Sequence, residues 1–164
     1  MNRIGASGAL LLWLCPSVSF AWDASVEGPD VFDKTKVIAS EMNFNEGLIV
    51  QCDSSDDLLI TYAFRKKEFE EVSSAPATLL IKFGDGSPVK LDASLRAWND
   101  NFAGVVVSGR TPENIAVLKA IKDSKGKIQI GAEVNGTQFS AAIGSRGSTK
   151  AMETALSKCK LTAD

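Results

Sequence analysis

The absence of histidine limits the chemistry that this chain of 164 residues can perform. Histidine is the commonest general base in enzymes and the commonest protein ligand of metals. Without it, Ser-His-Asp and Cys-His catalytic sites are excluded, as are zinc sites of the HExxH type. The three cysteines form no Cys-x-x-Cys pair, so redox and zinc-knuckle motifs are missing as well.

The serines and lysines offer a weak alternative for catalysis. Ser-x-x-Lys spacings occur, for example, at Ser124 to Lys127 and at Ser157 to Lys160. Neither is accompanied by the SDN or KTG partners of penicillin-recognising enzymes, and the chain is too short for that fold. We interpret both spacings as chance matches.

Acidic residues are the remaining candidates for chemistry. Asp53, Asp56 and Asp57 lack the central glycine and distal glutamate of an EF-hand loop, so we interpret them as a surface turn. A catalytic pair of facing carboxylates, as in glycosidases, is not excluded by the sequence, because such residues need only be close in space. We therefore expect no catalytic residue, no metal and no cofactor, and rank a carboxylate enzyme last.

The N-terminus has the three parts of a secretory signal peptide. Arg3 gives a basic start, residues 4–14 are apolar, and Ser19-Phe20-Ala21 provides small residues at a cleavage site. The apolar run is shorter than the roughly 20 residues that span a bilayer, which leaves a retained anchor as the weaker alternative. We predict a signal peptide at residues 1–21 and one domain at residues 22–164, located in the periplasm of a Gram-negative bacterium or secreted.

The cysteines agree with export. Cys15 should leave with the signal peptide, because Leu14 is unlike the small residue that a lipobox has at that position. Cys52 and Cys159 then remain as an even pair in an oxidising compartment, which favours a disulfide between them. Two free thiols or an intermolecular pair are the alternatives.

The charge distribution gives no sign of a nucleic-acid or membrane partner. The formal net charge is −2, and the only basic cluster, at residues 65–67, is followed at once by Glu68, Glu70 and Glu71. A nucleic-acid site would require a basic stripe. We expect a protein partner, with no nucleic acid and no membrane contact once the signal is removed.

Period-two patterns and turn residues predict a β-rich domain. We predict a polar lead-in without regular structure at residues 22–35. The predicted strands are residues 36–40, 48–52, 58–64, 78–83, 89–93, 102–108, 127–134 and 137–143. Asn135-Gly136 is a two-residue hairpin turn.

Two helices complete the prediction. Thr111 and Pro112 start the first helix, and Gly126 should end it. Ser148 should cap the last helix, whose apolar face carries Ala151, Met152, Ala155, Leu156 and Cys159. The predicted fold class is α+β: a sandwich-like antiparallel sheet, a short helix and a C-terminal helix that packs on the sheet.

An ordered set of motifs resembles one known family. The motifs are Leu48-Ile49-Val50-Gln51-Cys52, Leu58-Leu59-Ile60, Lys82-Phe83-Gly84-Asp85-Gly86-Ser87-Pro88, Trp98, Gly136-Thr137-Gln138-Phe139 and Ile143-Gly144-Ser145. Over residues 36–161 their order and spacing are similar to the periplasmic type VI secretion-associated proteins called TagO or VasI. Lys82 and Gly84 depart from that family's turn, which has arginine and aspartate there. Invasion-associated proteins of the IalB type share a comparable pattern.

The resemblance implies a Cys52–Cys159 bond and an accessory role without catalysis. We therefore expect a non-enzymatic periplasmic accessory or binding protein that serves a secretion machine. Phe83, Asp85, Gly86 and Trp98 are the candidate partner surface, although Trp98 could instead plug the end of the sheet. A periplasmic inhibitor that inserts a loop into a hydrolase such as lysozyme is the main alternative, and an IalB-like invasion-associated protein is another.

Overall fold

The computed structural model describes residues 21–54, 57–65 and 74–161. Residues 1–20 of the predicted signal peptide, the basic cluster beyond Arg65, and Asp56 lie outside these residues. Within them, nine strands form one antiparallel sheet and two helices pack on it. The strands are β1 (Asp23–Glu27), β2 (Lys36–Met42), β3 (Glu46–Asp53), β4 (Leu58–Arg65), β5 (Ala75–Phe83), β6 (Val89–Ala97), β7 (Phe102–Ser108), β8 (Ile128–Val134) and β9 (Thr137–Ile143). The helices are α1 (Pro112–Asp123) and α2 (Ser148–Lys158).

The sheet curls on itself so that distant strands touch. Its strand order is β1-β2-β3-β4-β7-β6-β5-β8-β9, which places four strands between β4 and β9. Nevertheless the ring of Phe139 in β9 stacks on that of Phe64 in β4, with 4.9 Å between the centroids. The curled sheet has an inner face lined by the core and an outer face. The predicted α+β class, with a C-terminal helix against the sheet, is confirmed.

Alternating side chains determine which face of each strand is buried. In β8, for example, Ile128, Ile130, Ala132 and Val134 are buried, whereas Gln129 and Glu133 are exposed. The inner faces of the strands and the apolar stripe of α1 (Ile115, Leu118 and Ile121) form one core. The described residues contain no helix of the length and apolarity that crossing a bilayer would require.

Local signals account for the elements that sequence analysis predicted well. The hydroxyl of Thr111 accepts the N–H of Asn114, and Pro112 follows in the first turn of α1, as expected. Asn135 and Gly136 both have positive φ, which the two-residue turn between β8 and β9 requires. The strands β7 and β9 have the predicted bounds.

Three predictions about individual elements were wrong. Residues 23–27 are not irregular: they form β1, an exposed edge strand that pairs with β2. Helix α1 ends at Asp123, three residues before Gly126, and Ser124 is its C-cap with an extended backbone. Helix α2 is capped by Gly147 at φ 82°, and Ser148 is its first, buried residue. The backbone at this N-cap position is in the left-handed region, which glycine adopts readily. Glycine has no side chain, so the helix has no side-chain cap hydrogen bond.

Candidate functional site

The disulfide between Cys52 and Cys159 ties the C-terminal helix to the sheet. Cys52 lies near the end of β3 and Cys159 is the C-cap of α2, with 6.0 Å between their Cα atoms and 107 residues between them in sequence. Both side chains are buried. The bond therefore belongs to the framework and is not a reactive surface thiol pair.

The predicted partner residues do not form one patch. The turn that contains Asp85 and Gly86 precedes β6, and Trp98 follows β6. The nine residues of that strand separate them by roughly 30 Å at about 3.4 Å per residue. Asp85 and Gly86 are exposed, whereas Phe83 packs partly against the core.

Trp98 belongs to a group of aromatic side chains at one end of the sheet, which we call the aromatic end (Phe44, Trp98 and Phe102). Trp98 is 37% exposed and lies over Gly104 on the outer face of β7. The guanidinium of Arg65 stacks over the ring of Phe102 at 5.8 Å, and its Nε donates to the carbonyl of Phe44 at 2.8 Å. These contacts place the Arg65 cation beside apolar rings at the aromatic end.

A second exposed apolar feature lies at the opposite end of β2. In the loop between β1 and β2, Val31 is 91% exposed and Phe32 is 77% exposed. We call residues 28–34 the display loop. The predicted polar lead-in at residues 22–35 contains this loop, which was not predicted as an exposed apolar feature. The adjacent apolar pair after the turn signal Gly28-Pro29-Asp30 is the sequence signal that could have indicated it.

Internal hydrogen bonds hold the display loop in shape. One carboxylate oxygen of Asp30 accepts the backbone N–H groups of Phe32 at 2.8 Å and Lys34 at 2.9 Å. The backbone N–H of Asp30 donates to the carbonyl of Lys34, and that of Asp33 donates to the carbonyl of Asp30. The N–H groups of Lys34 and Phe32 lower the pKa of the Asp30 carboxyl, which keeps it ionised. The exposure of Val31 and Phe32 is therefore imposed by a defined loop.

A charged groove of about 550 Å³ runs from the display loop across the outer face of the sheet. It is lined by Glu27, Gly28, Asp30, Lys34, Lys36, Gln51, Cys52, Asp53, Asp57, Leu59, Arg96 and Ser108. Lys36 and Glu27 form an ion pair at 3.8 Å across β1 and β2. Because both signs of charge line its walls, the groove favours polar protein groups over an anion or a cation alone.

The acidic turn between β3 and β4 satisfies its own hydrogen bonds. A carboxylate oxygen of Asp53 accepts the N–H of Asp57 at 3.2 Å, and the N–H of Asp53 donates to the carbonyl of Asp57. Over residues 21–54, 57–65 and 74–161, no group of three or more acidic or cysteine side chains is placed to hold a metal ion. These two bonds join Asp53 and Asp57 across the turn, whereas Asp56 lies outside the described residues.

Two glutamates lie on the inner face of neighbouring strands. Glu46 accepts the hydroxyl of Tyr62 at 2.7 Å, and burial together with Glu46 raises the pKa of Tyr62. Glu41 is only 6% exposed, and the N–H of Gly144 donates to its carboxylate. Burial raises the pKa of the Glu41 carboxyl, an effect that the Gly144 bond reduces in part.

Replacing Glu41 with glutamine should change how stability depends on pH. The folded chain holds the Glu41 proton more tightly than the unfolded chain, so the free energy of unfolding falls as the pH rises above the carboxyl's ordinary pKa of 4.5. In a chain that still has the peptide bond between Ala21 and Trp22, Glu41→Gln should remove that fall. It should add on the order of 1 kcal/mol to the free energy of unfolding at pH 8. Urea unfolding between pH 4 and pH 8 measures it. Glu46→Gln is the matched control, and parallel pH profiles for Glu41→Gln and the parent chain would contradict the assignment.

Comparison with known proteins finds no similar family or structure. No protein-family model matches the chain, and neither a curated protein nor a solved structure is significantly similar to it. The resemblance to the TagO/VasI family therefore stays a prediction.

Proposed function

We propose that this chain is a non-enzymatic accessory protein that binds another protein outside the cytoplasm. The observation that carries the proposal is the display loop, whose internal hydrogen bonds keep the side chains of Val31 and Phe32 exposed to solvent. Exposing two adjacent apolar side chains costs solvation free energy, and a partner that buries them recovers it. A preformed loop also loses little conformational entropy on binding.

The charges around the display loop indicate the kind of partner. Asp30 and Asp33 flank the apolar pair in sequence. Glu27, Asp57, Lys34 and Lys36 line the groove beside the loop. This acidic balance is unfavourable at an anionic bilayer surface. It favours a protein with an apolar pocket and a basic rim. A component of a secretion machine is the partner that the sequence resemblance favours.

Photo-crosslinking in the exported protein tests this proposal. A photoreactive amino acid at position 32 should give a specific adduct with one protein. Excess unlabelled protein should suppress that adduct, whereas a Val31→Ser/Phe32→Ser variant should not. Position 44 is the matched control, because Phe44 is also 77% exposed but lies at the other end of β2. Positions 85 and 98 test the turn and the tryptophan. Adducts from position 44, 85 or 98 and none from position 32 would refute the display loop as the binding element.

A periplasmic inhibitor of a hydrolase is the second candidate function. The display loop favours it, because inhibitors of this kind insert a preformed loop into an active-site cleft. Lysozyme activity measured with the purified protein tests the idea directly. Inhibition that the Val31→Ser/Phe32→Ser variant lacks would support it, and full activity at a micromolar excess of the protein would remove it.

A further inference from the structure

Trp22, the residue that directly follows the predicted cleavage site, is fixed in the core. It is 5% exposed, and its indole Nε1 donates to the carbonyl of Gly144 at 2.9 Å. Its backbone N–H donates to the carbonyl of Arg146 at 2.8 Å. The loop between β9 and α2 therefore binds both the side chain and the backbone nitrogen of Trp22.

Glu41 lies beside Trp22 on the inner face. The register of β1 and β2 pairs Asp23 with Ser40, and one further step places Trp22 opposite Glu41. Residues opposite each other have Cβ atoms about 5 Å apart. One side of the Glu41 carboxylate accepts the N–H of Gly144, while its Oε2 is buried and has no hydrogen-bond partner among the described residues. An acceptor without a donor is costly in such a position.

The loop brings these groups into a small volume. Gly144 contacts Glu41, and the carbonyl of Arg146 accepts the N–H of Trp22. Two residues of chain separate the Cα atoms of Gly144 and Arg146 by at most about 7 Å. Gly147 follows, and a Cβ atom there would lie only 2.7 Å from the carbonyl oxygen of Trp22. The backbone of Trp22 is therefore packed against this loop, and the strand register places Glu41 opposite Trp22.

We propose that cleavage of the chain between Ala21 and Trp22 creates an α-ammonium group that forms a buried ion pair with the Glu41 carboxylate. In this hydrolysis, water adds across the peptide bond, Ala21 leaves with a carboxylate, and Trp22 keeps its nitrogen as an amine. Most of that amine is protonated at neutral pH, because the ordinary pKa of an α-amino group is about 7.7 to 8.0. Ala21 and Trp22 thus define a processing site whose product has its own binding pocket in the fold.

The α-ammonium supplies the donor that the site lacks. It has three N–H bonds, of which one keeps the contact with the carbonyl of Arg146 and another reaches Glu41 Oε2. A buried carboxylate and a buried ammonium each carry a large desolvation cost alone, and each offsets the cost of the other when they are paired. The intact peptide bond has only one N–H, which Arg146 already accepts. Processing at this bond therefore stabilises the packing of β1 against the loop before α2.

N-terminal sequencing of the exported protein is the first test. The proposal expects Trp22 as the first residue. A mature protein that begins at any other residue, or that retains residues 1–21, would overturn the proposal.

The second test compares two purified chains, one beginning at Trp22 and one beginning at Ala21, each with and without Glu41→Gln. In the chain beginning at Trp22, Glu41→Gln should lower the folding equilibrium constant by at least roughly tenfold, because it leaves the ammonium unpaired. In the chain beginning at Ala21, the same change should raise it at pH 8. Glu46→Gln should act equally on both chains. An effect of Glu41→Gln in the same direction in both chains would overturn the ion pair.

Amine reactivity gives a third readout that does not depend on unfolding. The α-amine of the chain beginning at Trp22 should react with an acetylating reagent at least roughly tenfold more slowly than that of the chain beginning at Ala21, because a buried, paired ammonium is both shielded and protonated. Glu41→Gln should accelerate the reaction only in the chain beginning at Trp22. Equal rates in the two parent chains would contradict the buried position of the amine.

Discussion

Replacing Cys52 and Cys159 with serine should lower the free energy of unfolding by roughly 4 to 5 kcal/mol. The bond closes a loop of 107 residues, and in the chain-entropy model a loop of this size restricts the unfolded chain by about that amount. The two sulfurs are also buried, so the serine hydroxyls would require hydrogen-bond partners in an apolar setting. Urea unfolding of the oxidised parent chain and the double variant measures the difference.

The reduced parent chain is the control for this experiment. If the cross-link itself provides the stability, reduction should lower the unfolding midpoint nearly as much as the double substitution does. The exported protein should also contain no free thiol under non-reducing mass spectrometry once residues 1–21 are removed. Two free thiols, or equal midpoints for the oxidised and the substituted chains, would contradict the framework role of the bond.

Replacing Gly47 with alanine should destabilise the protein by about 3 kcal/mol, although the change adds one methyl group. A Cβ atom at this position would lie 2.2 Å from the carbonyl oxygen of Glu41 and 2.7 Å from the Cα of Met42. Both are backbone atoms of the paired strand β2, which cannot move without breaking its pairing with β3. Overpacking against a rigid neighbour typically costs about 1 to 3 kcal/mol and sometimes more.

Gly126→Ala is the matched control for the Gly47 prediction. Gly126 has no heavy atom within 4 Å of an added Cβ, and its φ is not positive. Its replacement should therefore change the free energy of unfolding by no more than about 0.5 kcal/mol. Thermal or urea unfolding of both variants tests the contrast, and an effect of similar size at the two positions would show that β2 accommodates the methyl group.

The elements that sequence analysis predicted correctly are those with strong local determinants. Alternating residues in β8, the turn at Asn135 and Gly136, and the cap at Thr111 each follow from interactions within a few residues. The strand β1 could not be predicted in this way. Its two apolar residues, Ala24 and Val26, are both partly exposed, so the strand depends on pairing with β2.

The candidate site was harder to predict than the fold, because exposure and distance are tertiary properties. The sequence places Trp98 and the turn at Gly86 only twelve residues apart, yet a single straight strand carries them to opposite ends of the sheet. The exposure of Phe32 depends on hydrogen bonds to Asp30 that a polar, aperiodic sequence does not reveal. The burial of Glu41 likewise depends on a loop more than 100 residues further along the chain.

The affinity of the crosslinked partner for three purified chains tests the central claim most directly, namely that this framework presents the display loop to another protein. Isothermal titration should show that Val31→Ser/Phe32→Ser weakens binding at least roughly tenfold, because exposed anchors that become buried on binding dominate such interfaces. Phe44→Ser should bind as the parent chain does, and all three chains should unfold at similar urea concentrations. Unchanged affinity for the double variant, or a loss of affinity that appears only with Phe44→Ser, would contradict the claim.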